Sequence, residues 1–165
     1  MAGVAALDLA ARVWQAKPMN DEAKIGPGKP RNFMMKPDEQ PPFADFMGFK
    51  ITHVSLERVT AELVVTEQLC NRNGVLHGGA VMALADNLGG TAAVANLSPG
   101  GSTATIESKT NFFASIPVGD TARAECTPLH RGRTTTVWQT RITRGDGRLA
   151  AIVTQTQLVM TKPGG

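Results

Sequence analysis

The sequence predicts an α+β domain with element order β-β-α-β-β-β-β. Two observations carry this expectation: a single long helix-periodic stretch within a chain of short β-like runs, and turn residues at the junctions between those runs. From Gly48 onward, Phe49 to Glu57 and Val59 to Thr66 are rich in Val, Ile and Thr, which suit a pleated, half-buried surface. These two runs are expected to pair as a hairpin. Between Gly79 and about Asn96 the period changes, and Val81, Leu84, Ala85, Leu88 and Ala92 fall on one helical stripe. After the Ser98-Pro99-Gly100-Gly101 breaker, β-like segments lie near 102–113, 119–128, 133–144 and 148–160. Gly119-Asp120, Arg131-Gly132 and Asp146-Gly147 separate them, and Asp-Gly is a strong hairpin signal. One helix cannot cover both faces of such a sheet, so either the sheet curls around the helix or a partner covers the other face. Small residues on the helix (Ala80, Ala83, Gly89, Gly90, Ala92, Ala93) permit a close wrap.

The chain has 165 residues, 42% apolar and 19% charged, enough for one domain with a packed core. Residues 1–45 read as an appended arm, and 46–165 as the domain proper. Within the arm, Leu7, Ala10, Val13 and Trp14 lie at helical spacing, followed by Pro18, Pro27, Pro30, Pro37, Pro41 and Pro42, which exclude a long helix or a central strand. The net charge of +3 comes from scattered lysines and arginines, so a phosphate-bearing small molecule suits it better than nucleic acid. Cys70 and Cys126 form no disulfide or zinc pattern. His53 and His130 have no carboxylate or cysteine at ligand spacing, so neither metal nor cofactor is expected. The most apolar window, Gly79 to Leu97, is broken by Asp86 and Asn87, which argues against a membrane span. With no secretory pattern at the start, the cytoplasm is the default location.

The chemically informative segment is Asn71-Arg72-Asn73-Gly74-Val75-Leu76-His77-Gly78-Gly79, which runs into the helix that holds Asp86. A helix start offers unpaired N–H groups and partial positive charge, so Gly78 and Gly79 suit an oxyanion; glycines that merely turn the chain are the bland alternative. Asp86 lies in mid-helix, away from the first turn where a carboxylate is favoured. Three of its neighbours three and four positions away (Met82, Ala83, Gly89, Gly90) are small, which leaves room for a substrate. A solvated aspartate is the competing reading. Nine residues separate His77 from Asp86, roughly 13 Å along one helix, so they cannot bond within one chain. If both serve one reaction, a second subunit brings its helix start opposite Asp86, which predicts a dimer. For His77 itself, orienting the loop is favoured over direct chemistry.

Asn71 through Asp86, with His77-Gly78-Gly79 and Leu84-Ala85-Asp86, resembles the active-site signature of PaaI-like hotdog thioesterases. The stretch from Thr103 to Phe113, then Pro117, Gly119-Asp120 and the run His130 to Thr134, resembles the same family in the same order, so the likeness covers about residues 48–160. The resemblance implies a hotdog fold: a curved antiparallel sheet wrapped around one long central helix, here with a helical and proline-rich N-terminal extension. It also implies a homodimer joined sheet to sheet, commonly paired again into a tetramer. Further, it implies an acyl-CoA thioester hydrolase in which Asp86 is general base or nucleophile. Gly78 N–H would polarise the carbonyl across the interface, Asn71 would hold water or carbonyl, and Thr105 would assist the water. His77, Gly79 and Asn87 complete the expected site, and Arg131 and Arg133 are candidates for the coenzyme A phosphates. A hydratase reading lacks its expected histidine–carboxylate pattern. A non-catalytic acyl-CoA-binding protein of the same fold is the alternative, though it has little need for an acid in mid-helix.

Overall fold

In a computed structural model, which describes residues 40–160, the apolar stripe builds the element around which the rest is arranged. Helix α2, Gly78–Ala95, buries Val81, Leu84, Ala85, Leu88 and Ala92 as its periodicity predicts, together with Ala80, Gly89, Thr91 and Ala93. It ends at Asn96, whose Nδ2 donates back to the Ala92 carbonyl at 2.9 Å and to the Leu56 carbonyl at 3.1 Å. The first bond satisfies one of the carbonyls that a helix end otherwise leaves open, and the second ties that end to the loop at Leu56.

The strands are β1 (Lys50–Val54), β2 (Val59–Val64), β3 (Ser102–Phe112), β4 (Thr121–Arg131), β5 (Thr135–Thr143) and β6 (Leu149–Met160). They form one antiparallel sheet in the order β1-β2-β4-β5-β6-β3. Helix α2 packs against β2, β4, β5, β6 and β3. Five neighbouring strands at about 4.8 Å spacing are roughly 19 Å wide when flat, more than a helix of about 10–12 Å can touch. The sheet therefore curls around the helix, and the architecture is the hotdog fold. Of the two solutions open to the sequence, wrapping is realised.

The predicted hairpins form, with informative shifts at their ends. β1 stops at Val54 because Ser55 bonds to Arg58 through both backbone and side chain, closing a tight turn. β4 starts only at Thr121, whose N–H is capped by Asp120 Oδ1 at 2.7 Å. It also runs past Pro128, because the register shifts between Pro128 and His130 and absorbs the missing proline N–H. The Asp146-Gly147 turn places Gly147 at φ +85°, a conformation glycine adopts without Cβ strain. A short helix α1, Pro42–Met47, occupies residues to which the sequence assigned no element. Proline stands in its first turn, and Gly48 ends it at φ 75° in the left-handed region. Its Ala44 is fully buried. The expected helical run around Leu7 to Trp14 and the prolines from Pro18 to Pro37 lie outside the described residues.

Val59, Ala61 and Leu63 of β2, Ala122, Ala124 and Cys126 of β4, and Trp138 and Ile142 of β5 line the inner face against α2. Burial pushes the Cys126 thiol up to about 11, so it is protonated at neutral pH. Trp138 is completely buried, and its indole N–H donates to Thr136 Oγ1 at 2.9 Å. Thr136→Val keeps the shape but leaves that N–H unpaired in the core. We expect a loss of about 1–3 kcal/mol, read as a lower urea midpoint at unchanged m-value.

Candidate active site

The approach to α2 is held by its own backbone. Asn71 N–H donates to Val75 O at 2.8 Å, Leu76 N–H to Ile116 O at 2.8 Å, and His77 N–H to Leu69 O at 2.8 Å. His77 is the N-cap residue, and its Nδ1 accepts from the Gly79 N–H at 2.9 Å, so the neutral ring carries its proton on Nε2. Gly79 N–H is thereby spent. Gly78 N–H has no acceptor among the described residues and stands at the positive end of the helix. A Cβ at Gly78 would lie 3.3 Å from Phe112 Cζ, so the helix start rests on the end of β3.

Asn71 Oδ1 accepts from the Asn73 N–H at 2.9 Å, which pins the side chain. A cavity of about 240 Å³ opens between Asn71, Gly78, Leu76, Val81, Phe112, Ile116 and Ala150. Phe112 and Phe113 are both about half exposed (54% and 55%), and of the two only Phe112 lines this cavity. Phe112 ends β3, an edge strand of the sheet, which leaves its ring partly uncovered.

Eight residues further along α2, Asp86 is exposed, and its Oδ1 collects two donors: Gln155 Nε2 at 2.7 Å and Thr105 Oγ1 at 3.2 Å. Thr105 Oγ1 in turn accepts from Gln157 Nε2 at 2.9 Å. Oδ2 has no protein donor among the described residues. The strands explain how these groups meet. Thr105 pairs with Gln157 across β3 and β6, and the register then shifts between Thr105 and Glu107. Beyond that bulge Ser108 stands opposite Gln155 and Thr110 opposite Val153, so residues of both parities reach the helix side of β3. Gln155 and Gln157 are buried on the face that also carries Val153.

The structure thus joins Asp86 to Thr105, and Asn71 to Gly78, but holds the two pairs apart within one chain. Asp86 and Gly78 lie about 12 Å apart along α2.

The sequence profile of the Thioesterase superfamily matches residues 73–151. The Rv1847 protein of Mycobacterium tuberculosis (strain ATCC 25618 / H37Rv), provisionally named an esterase, is 33% identical over 113 residues, covering 67% of this chain and 80% of that protein. The chain belongs to the thioesterase superfamily. A second relative, a 1,4-dihydroxy-2-naphthoyl-CoA hydrolase of Listeria monocytogenes serotype 1/2a (strain 10403S), is 32% identical over 107 residues, 64% of this chain and 85% of that protein. Among solved structures, S. sahachiroi AziG superposes with a TM-score of 0.72 at 27% identity, covering 74% of this chain and 99% of that one.

In this member of the thioesterase superfamily, Arg131 and Arg133 sit at the other end of α2. They line a second cavity of about 240 Å³ with Asn96, Ser98, Gly101 and Gly132. Arg131 is already engaged: it bonds Glu57 at 2.9 Å and the Leu56 carbonyl, and lies 5.8 Å from the Trp138 ring centroid. That hydrogen bond holds the Glu57 carboxyl below the usual range. Arg133 makes no ion pair or hydrogen bond among the described residues. Asn87 Nδ2 donates to Gln40 Oε1 at 3.2 Å, a partner outside the Asp86 cluster. No group of three His, Cys, Asp or Glu side chains converges among the described residues, and no described helix is long and apolar enough to cross a membrane.

Sequence reasoning missed Gln155 and Gln157. The sequence carries no signal for them, because apolar and polar residues fall on both parities of this strand; only its pairing with β3 puts both on the face of Ala151 and Val153, where the strand otherwise buries apolar groups. Gln155 Oε1 is buried without a partner, and such an unpaired group costs about 1–3 kcal/mol.

Proposed function

We propose that this thioesterase-superfamily protein hydrolyses an acyl-CoA thioester to the free acid and coenzyme A at sites shared between two copies of the chain. The observation that carries the reading is the Asp86 carboxylate, with one oxygen held by two donors and the other open. The listerial relative supports coenzyme A as the thiol carrier, since its name specifies a naphthoyl-CoA substrate.

Asp86 Oδ2 takes a proton from water, and the resulting hydroxide attacks the thioester carbon. Gly78 N–H donates to the oxygen as it becomes negative. Collapse of the tetrahedral intermediate breaks the C–S bond, and the proton held by Asp86 passes to the leaving thiolate. Asp86 as direct nucleophile, through an anhydride that water then opens, uses the same oxygen. Asn71 Nδ2 holds water or carbonyl, while the Thr105 hydroxyl, whose proton goes to Asp86, assists the water by accepting from it. General-base help is worth about 10²–10⁴-fold and one oxyanion donor about 10²–10³-fold. His77 serves by capping the Gly79 N–H, which leaves the Gly78 N–H free.

The 12 Å gap within one chain is closed by a second copy. β3 is an open sheet edge with exposed Ile106 and Phe112. Antiparallel pairing of two β3 strands about a two-fold axis near the middle of the strand brings the Phe112 end of each copy alongside the Thr105 end of the other. Gly78, resting on Phe112, then arrives beside the second copy's Asp86. Further pairing into a tetramer belongs to the same proposal, as does a cytoplasmic location. The apolar cavity beside Gly78 receives the acyl group, and Arg133 is better placed than Arg131 for a phosphate because its guanidinium is uncommitted. Asn87 and Gly79 act as supports on either side.

The test is release of free thiol from a panel of aryl and straight-chain acyl-CoAs. Turnover of at least one class is expected. Saturable binding with no hydrolysis across the panel would turn the assignment into an acyl-CoA-binding protein.

A further inference from the structure

We infer that Gln155 is a positioning residue that fixes the rotation of the Asp86 carboxylate, a role that rests on Asp86 being the reacting group. Gln155 is completely buried in β6, and its carboxamide has one way to sit. Nε2 lies 2.7 Å from Asp86 Oδ1, and an ionised carboxylate accepts only, so the N–H side must face it. Oε1 turns toward α2 at Gly89, where a Cβ would stand 2.2 Å from Oε1 and 2.9 Å from Cδ. Only a residue without a side chain leaves that space. Asp86 and Gly89 lie one helical turn apart, so the helix that presents the carboxylate also provides the slot for the amide that holds it.

A second buried amide reaches the same oxygen indirectly, because Gln157 donates to Thr105 and Thr105 donates to Asp86. Both supports converge on Oδ1 and none on Oδ2, which aims the lone pairs of Oδ2 at one region of space. Packing does not account for this arrangement. Val153 and Ala151 continue the same face of β6 as buried apolar residues, and a methionine at 155 would fill the volume without stranding an amide oxygen. The buried amide therefore weakens the fold locally and is explained by what it does to Asp86.

The experiment compares kcat, KM and melting temperature for wild type, Gln155→Met, Gly89→Ala and Asp86→Asn on the acyl-CoA that wild type turns over best. Gln155→Met is expected to lower kcat by about 10–100-fold, the scale of a small misplacement of a reacting group. KM should stay within about threefold, because that bond is not to substrate. Its melting temperature should equal or exceed that of wild type, an outcome that a merely structural glutamine would not produce. Gly89→Ala presses on the amide without deleting it and should lower kcat in the same direction, so it decides the matter if Gln155→Met does not fold. Wild-type kcat in either folded variant overturns the inference, as does a loss of kcat that merely tracks a fall in melting temperature. Asp86→Asn separates the two levels. If it is inactive while Gln155→Met is fully active, only the positioning role fails; if it is fully active, the proposed function itself fails.

Discussion

Asp86→Asn is expected to lower kcat for acyl-CoA hydrolysis by about 10²–10⁴-fold, the range for loss of a general base, with folding stability within about 1 kcal/mol of wild type. The separation of activity from stability follows from the bonding of the carboxylate. Both donors, Gln155 and Thr105, converge on Oδ1. An asparagine can present its carbonyl oxygen to both and place its NH₂ where Oδ2 was, so the buried glutamine keeps its acceptor while the open oxygen disappears. Asp86→Ala removes that acceptor as well and strands a fully buried amide, which adds about 1–3 kcal/mol of destabilisation. A denaturant titration of both variants beside steady-state kinetics checks the pair. Equal rates for wild type and a folded Asp86→Asn would remove Asp86 from the chemistry.

Gly78→Pro is expected to lower kcat by about 10²–10³-fold, the measure of one lost oxyanion donor. Proline is well suited here as a deletion of a single N–H. The position is the first of α2, where proline is favoured, and His77 before it already has φ −64° and ψ 137°, the extended geometry a pre-proline residue prefers. The lost N–H bonds nothing in the described fold, so stability should change little. The nearest neighbour to yield is the half-exposed Phe112 ring. The stronger result is expected on mixing. When Gly78→Pro and Asp86→Asn chains are co-expressed with different tags, about half of randomly formed dimers are mixed, and each mixed dimer holds one doubly altered and one intact site. About a quarter of wild-type activity should return. If Asp86 and Gly78 acted within one chain, every site would carry a defect and nothing would be regained.

What the sequence made legible was local. The 3.6-residue stripe through Val81, Leu84 and Leu88 placed the helix within one residue at each end, and the glycines after His77 marked its start. The mid-helix acid stood out because Asp86 has no local reason to be there. The distance argument against a same-chain His77–Asp86 bond also follows from rise per residue alone. What stayed hidden depended on pairing. In Val153-Thr154-Gln155-Thr156-Gln157 the polar residues fall on both parities, so alternation does not say which face is buried; only the register against β3 turns the glutamines inward. Arg131 looked available because its partners, Glu57 and the Leu56 carbonyl, are more than seventy residues away. α1 is hard to read from the sequence because clustered prolines exclude a long helix yet are silent about one of six residues, with proline in its first turn and glycine just beyond its last.

The two borders of the sheet are unlike, and this bears on how the proposed association would end. β1 is five residues long, begins with Lys50 and is interrupted by a register shift between Ile51 and His53, features that discourage a further strand from adding. β3 is eleven residues long. Once two copies have joined along β3, the continuous sheet has β1 at both extremities, and neither invites growth. In the proposed assembly the same asymmetry would make the pairing self-limiting, a closed pair in place of a fibre.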